Sequence, residues 1–224
     1  IASCLVGSEM CIRDRYNLQK CLKVVLKQSI SLESAVNPYH NNLHALCVFY
    51  NAMKIIDDIN EKQTVISWEQ ARVLGIACLF HDCGHDGGKF NLCDEDNVKI
   101  AIKKAQEYLN EYDDSKSFDA VKILIEATEF PYKLEPFNIL EEIIRDADLM
   151  MIFEPNLIYQ MVCGIWKEYI QKGNFCELDE VIEWCIGFYS DVNYYTNYAK
   201  RMKETKLSYS CLLYTSDAAD DSLR

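Results

Sequence analysis

The sequence predicts an all-α fold arranged as one domain, and three observations carry that expectation. Apolar residues recur at helical spacing along most of the chain, no stretch alternates at period two for long enough to make a strand, and residues that start or stop helices fall between the apolar runs. At 224 residues the chain is long enough to bury a core without disulfide staples.

In order, the apolar stripes are Leu18, Cys21, Leu22, Val25; Leu46, Phe49, Tyr50, Met53; and Leu74, Ala77, Cys78. Then come Val98, Ala101, Ile102, Ala105, Leu109, followed by Phe118, Val121, Leu124, Ile125. Leu140, Ile143, Ile144, Ala147, Met151 continue the pattern, as do Ile158, Met161, Val162, Ile165, Tyr169 and Leu178, Val181, Ile182, Cys185, Tyr189, Val192. Ser67-Trp68-Glu69-Gln70 reads as a capping box, in which the serine oxygen and the glutamine side chain satisfy free amides at a helix start. Pro38, Pro131, Pro136 and Pro155 mark helix boundaries, and Gly84, Gly87 and Gly88 open a loop after the third stripe. The domain is expected to run over 16–209. Segments 1–15 and 210–224 are read as non-native or disordered tails, because their composition resembles translated adaptor sequence.

The charge is strongly acidic, −12 from 23 Lys and Arg against 35 Asp and Glu. That balance repels phosphate backbones and anionic lipid faces, so neither a nucleic-acid polymer nor a membrane is an expected partner. No window reaches the roughly 18 apolar residues of a membrane span. The 11 cysteines sit within helical patterns without Cys-x-x-Cys spacing, which reads as reduced core thiols and a cytoplasmic setting.

All four histidines fall in two short clusters, Tyr39-His40-Asn41-Asn42-Leu43-His44 and His81-Asp82-Cys83-Gly84-His85, with Asp146-Ala147-Asp148 further on. Imidazoles and carboxylates pooled in this way make a ligand set for a metal. With a helix from about His40, His40 and His44 share a face. His81 closes an apolar stripe and so points inward. A buried Asp82 costs several kcal/mol unless a cation compensates it. Asp146 and Asp148 are turned about 200° apart on a helix, so only one of them can face a common centre. Cys83 and Cys93 flank the second cluster, with packing the default role for each. Asp94-Glu95-Asp96 reads as a set of helix-start acids, Thr128 to Tyr132 as a helix stop, and the Phe188 to Tyr198 aromatics as helix packing.

Histidine, then His-Asp, then Asp in a helical chain resembles the HD superfamily of metal-dependent phosphohydrolases. The stretches Tyr39 to Ala45 and His81 to Gly88 resemble more narrowly the catalytic domain of class I 3′,5′-cyclic-nucleotide phosphodiesterases. The resemblance covers about Asn37 to Met150. It implies a tight metal, zinc, on His44, His81, Asp82 and Asp148, the last chosen over Asp146 by an Ala-Asp-Leu pattern. Asp82 would bridge to a second ion, magnesium or manganese. The implied chemistry is attack by a metal-bridged hydroxide on a small-molecule phosphodiester or nucleotide, with His40 as general acid and His85 supporting the bridging water. Asn97 is a weaker match to a supporting residue. The chain departs from the family where Asp86 stands in place of a proline, and its C-terminal part is shorter. Gln160, Trp166 and Phe188 cannot be matched to the family's base-gripping residues. Two further functions stay open at this level: a nucleotidase or deoxynucleoside-triphosphate phosphohydrolase of the same superfamily, and a non-catalytic cyclic-nucleotide-binding module.

Overall fold

A computed structural model describes residues 36–62, 66–90, 92–112 and 114–207. The expected stripe Leu18 to Val25 and both tails lie outside the described residues. The described chain is all-helical, without strands. Its eight α-helices are α1 Asn42–Lys62, α2 Trp68–Phe80, α3 Asp94–Glu111, α4 Phe118–Glu126, α5 Ile139–Leu149, α6 Ile158–Gln171, α7 Leu178–Asp191 and α8 Asn197–Met202. No single helix among them is long and apolar enough to cross a membrane.

The helices α1, α2, α5 and α8 start on readable caps. The Asn41 side chain accepts from the amides of Leu43 (2.9 Å) and His44 (3.4 Å) at the head of α1. Ser67 and Gln70 form the expected capping box at α2. Asn138 accepts from Leu140 and Glu141 at α5, and Thr196 from Ala199 at α8. Such caps satisfy amides that a helix start leaves without partners.

The central element is α2, which is apolar nearly all round and buried from Val73 to Phe80, as expected for a helix with no solvent face. It packs on α1, α3, α4 and α5, while α1 lies most extensively against α5. Phe80, Ile55, Leu74, Leu109, Ile125, Ile143 and Ile144 are fully buried where these helices meet. Asn51 of α1 donates to the Ala147 carbonyl of α5 in this interior, fixing the two helices side by side. At its C-terminus α5 tightens into a 3₁₀ turn, Met150–Phe153, so Met151 belongs to that turn and not to the helix.

Arg145 and Asp146 of α5 are both buried, and each holds a loop. Arg145 donates to the carbonyls of Ala127 (2.7 Å) and Leu134 (2.8 Å), and its guanidinium lies 4.2 Å from the centre of the Tyr132 ring. The carboxylate of Asp146 accepts from the amides of Tyr195 (2.9 Å) and Thr196 (2.7 Å). Arg145→Ala leaves the buried Ala127 carbonyl without its donor, frees the more exposed Leu134 carbonyl and removes the cation over Tyr132. It is expected to lower unfolding stability by about 2–4 kcal/mol, read as a shifted midpoint in urea with an unchanged slope.

Candidate metal centre

His44, His81, Asp82 and Asp148 converge from three segments of the core, and together they can hold a metal ion. His44 sits in the first turn of α1. His81 caps the C-terminus of α2, Asp82 follows it, and Asp148 projects from α5. His44 Nε2 lies 3.2 Å from Asp82 Oδ2 and 3.0 Å from Asp148 Oδ1. His81 Nε2 lies 3.0 Å from Asp82 Oδ2 and 3.3 Å from Asp148 Oδ1, and the two Nε2 atoms are 3.3 Å apart.

Those separations test the fit. A four-coordinate cation with bonds of about 2.0–2.1 Å to nitrogen and oxygen spaces its ligand atoms about 3.3–3.4 Å apart. Five edges of the cluster fall at or slightly inside that spacing, and all four atoms lie within 4.8 Å of one another. The tautomer fits as well. His81 Nδ1 lies 2.8 Å from the Cys78 carbonyl, which can only accept, so Nδ1 carries the proton and Nε2 turns its lone pair to the centre.

The electrostatics describe the same site from the proton's side. Burial disfavours a charged ring at His44 and His81, but Asp82 and Asp148 outweigh it and raise both imidazoles above their ordinary value. Burial likewise works against ionised carboxyls, yet the facing histidines hold Asp82 and Asp148 well below the usual carboxylate range. Without a cation, protons on the histidines balance the two acids, and a metal would displace them.

A second group stands beside the first: His40, His85 and Glu168. His40 Nδ1 is 2.5 Å from Glu168 Oε2, while Glu168 Oε1 accepts from the backbone amides of Tyr39 (2.7 Å) and His40 (2.9 Å). Three donors therefore occupy the Glu168 carboxylate. The rings of His40 and His85 stack, with centroids 3.7 Å apart and planes 19° from parallel. His85 Nδ1 accepts from the Gly87 amide at 3.0 Å, which leaves its proton on Nε2. These bonds make the group a hydrogen-bonded positioning unit, although its spacing alone would admit a cation. Burial opposes charge on His40, but Glu168 and then Asp82 override it and raise the ring to about 9. Burial and the neighbouring charge of His40 push His85 down to about 4. One ring is charged at neutral pH and its stacked neighbour is not.

The loop that carries His85 is built by its glycines. Gly87 has φ +61°, and an added Cβ would meet the Asn37 amide at 2.5 Å; Gly88 has φ +84° with Glu168 O at the same distance. Only glycine lets this backbone pass so close to its neighbours. Asp86 then accepts from the amides of Gly88, Phe90 and Leu92, a cap that a proline at 86 would not supply. Asn37 Nδ2 bonds the His85 carbonyl at 2.6 Å, and Asn97 Oδ1 accepts from the Asp86 amide at 3.3 Å. Asn97 thus braces the loop and is not part of the cluster.

Several expectations change in detail. The helix that carries His44 begins at Asn42 and not near His40. The reason is local: Asn41 caps the helix, and Glu168 holds the preceding amides of Tyr39 and His40. His40 and His44 are therefore neighbours across a bend, with ring centroids 5.9 Å apart, and do not share a helix face. Asp146 turns away from the centre to the α7–α8 junction. Neither Cys83 nor Cys93 joins the cluster; Cys83 is buried and Cys93 donates to Asp96. Asp94 does more than sit in a first turn, since its carboxylate accepts from the Phe130 amide at 2.6 Å. Glu168, absent from the sequence reading, is the carboxylate that orients His40. No protein-family model, curated protein or solved structure matches the chain.

Proposed function

We propose that this chain is a metal-dependent phosphohydrolase whose substrate is a small phosphodiester, a 3′,5′-cyclic nucleotide above all. The observation that supports this reading is the adjacency of two units: a four-donor cation site of two imidazoles and two carboxylates, and a histidine held in its charged form by Glu168. Zinc suits the donor set of His44, His81, Asp82 and Asp148, and magnesium or manganese is assigned to a further position on Asp82. Bound there, such ions polarise phosphoryl oxygens and ease deprotonation of a water.

The protein's own residues supply the rest. Asp82 and Asp148 carry two negative charges, so a dication brings the cluster to formal neutrality. That removes local repulsion of a phosphodiester by a chain whose net charge is −12. His40 bonds Glu168 through Nδ1 and therefore offers its Nε2 proton to the departing ribose oxygen. Glu168 keeps that ring charged and fixes its plane. His85, neutral and stacked on His40, buttresses the acid without competing for its proton.

A departing ribose alkoxide is a poor leaving group and needs a proton donor. This favours cleavage of a sugar ester over cleavage of a phosphoanhydride, and turnover over mere capture. Purified protein is expected to convert cyclic AMP or cyclic GMP to the 5′-nucleotide in the presence of magnesium, manganese or zinc, and to do nothing in excess chelator. Chromatography of the products decides the matter. Hydrolysis of deoxynucleoside triphosphates with silence on every cyclic substrate would replace the proposal with the triphosphohydrolase reading, and binding without turnover would replace it with a sensor.

A further inference from the structure

Val36 is 74% exposed, yet Asn37, the polar residue that follows it, is only 3% exposed. The Asn37 side chain lies between the two segments that carry His40 and His85. Its amide nitrogen donates to a backbone carbonyl of each, to His85 O at 2.6 Å and to His40 O at 3.3 Å. Carbonyls only accept, so the nitrogen must face them and the amide oxygen must face the other way. There Oδ1 lies against the Gly87 backbone and has no hydrogen-bond partner among the described residues. A buried acceptor left unpaired is costly, and here the amide is placed for its nitrogen.

The other bonds around the two rings do not span the gap between them. Glu168 holds the His40 ring and its amide. The His85 amide donates to the Asp82 carbonyl at 3.0 Å, and its ring accepts from the Gly87 amide. Each set fixes one ring relative to its own surroundings. The rings then meet face to face, with centroids 3.7 Å apart and planes 19° from parallel. Stacking tolerates offset, so the contact alone does not fix where one ring lies over the other. The two carbonyls gathered by Asn37 do.

Asn37 is itself anchored on both sides. Its backbone carbonyl accepts from Asn41 Nδ2 at 2.9 Å, and that nitrogen also reaches Pro38 O at 3.2 Å. The oxygen of the same Asn41 side chain caps α1. Asn37 is therefore tied to the first turn of the helix that carries His44. Opposite, a Cβ added at Gly87 would lie 2.5 Å from Asn37 Oδ1 and 2.6 Å from its Cγ, so the seat is closed around this one side chain. Aspartate has the same shape without a donor, and alanine has no reach. Glutamine is one methylene too long for the gap.

We infer that Asn37 is a positioning residue for the proposed hydrolysis: by bonding the His40 and His85 carbonyls with one nitrogen, it sets the register of the stacked rings and so aims the His40 Nε2 proton at the departing oxygen. The inference rests on the phosphohydrolase reading for the purpose of that aim, but the register itself can be measured without substrate. The chain has four histidines, so isotope-labelled histidine gives few ring signals, each assigned by single substitution.

In the full wild-type chain, NMR should show cross-relaxation between the ring protons of His40 and His85, and the Asn37 side-chain amide protons should exchange slowly with solvent. Rings without cross-relaxation, or a freely exchanging amide, overturn the inference whether or not any variant folds. Asn37→Asp and Asn37→Ala should abolish the ring contact and lower kcat for a cyclic nucleotide roughly 10–100-fold, the scale of an ångström-sized misplacement, with KM and metal content unchanged. Ser67→Ala weakens the chain through the α2 cap alone, so it should lower Tm and keep both the ring contact and kcat. Asn37 variants that keep the contact, or that lose it and keep kcat, overturn the inference, as does a loss of kcat that Ser67→Ala reproduces. A wild-type chain that turns over no phosphoester removes the proposed function, while the ring contact still decides whether Asn37 sets the register.

Discussion

His40→Asn is expected to lower turnover of a cyclic nucleotide by roughly 10²–10⁴-fold, the usual worth of a positioned general acid, while metal content stays unchanged. Asparagine keeps a polar group near Glu168 but cannot give up a proton. The pH dependence makes the assignment sharper. The His40 ring lies at about 9 in the folded chain, above its ordinary value of 6.5. The protonated form, the donor in the proposed chemistry, therefore dominates at neutral pH, and activity should fall as pH rises through the folded value. A bound cation cancels part of the pull from Asp82 and Asp148, so the observed limb belongs at or below about 9, with Glu168 its main support. Glu168→Gln removes that support and leaves burial, which acts in the opposite direction. The alkaline limb of kcat should then move toward acid, with a small loss of rate at pH 6 and a large one at pH 8. A Glu168→Gln protein with an unmoved limb would assign the proton donor elsewhere. The same sign governs stability: the His40–Glu168 pair contributes fully between the ordinary values of 4.5 for Glu168 and 6.5 for His40, and its contribution fades as pH rises through about 9 or falls through the lowered value of Glu168.

Much of this site was legible in the sequence, and the illegible part has a physical pattern. The histidine pairs, the carboxylate after His81 and the 200° argument at Asp146 and Asp148 all rest on short-range geometry, which a helix or a tight loop preserves. The capping box at Ser67 belongs to the same class. Glu168 does not, because it reaches His40 across 128 residues, and Trp166-Lys167-Glu168-Tyr169 reads on its own as an ordinary helix surface. A trace of it exists in Gly164, one turn earlier on α6. An added Cβ there would meet the Pro38 carbonyl at 2.6 Å and the Tyr39 side chain at 3.0 Å. That glycine lets α6 ride over the 38–39 corner and delivers Glu168 beneath His40. A glycine inside a helical pattern is a sign of close approach, but the partner it approaches is a tertiary fact. Arg145 and the loop it braces were hidden for the same reason. A charged residue next to an apolar stripe looks solvated until the carbonyls that surround it are placed.

Asp148→Asn and Asp146→Ala, two residues apart, are expected to fail in opposite ways. Asp148 places a carboxylate oxygen within 3.0–3.3 Å of both His44 and His81 nitrogens, where a cation could bind. Its loss should cut metal affinity by more than the roughly 10–100-fold that removal of a mere supporting residue costs. The folded chain should be recovered nearly metal-free by elemental analysis and inactive. Asp146 instead accepts the Tyr195 and Thr196 amides. Alanine there strands two amides and costs about 2–4 kcal/mol, or roughly 5–15 °C in Tm for a chain of this size, with metal content retained. The wild-type protein should itself gain about 2.7 kcal/mol when free metal stands at 100 times its Kd, and chelation should remove that gain. Because Asp82 and Asp148 hold protons on His44 and His81 above the ordinary imidazole value, binding must expel protons at neutral pH, and affinity should fall as pH falls. Calorimetry in buffers of different ionisation enthalpy counts those protons. Binding without proton release, or an Asp148→Asn chain that keeps its metal, would place the ion outside this cluster.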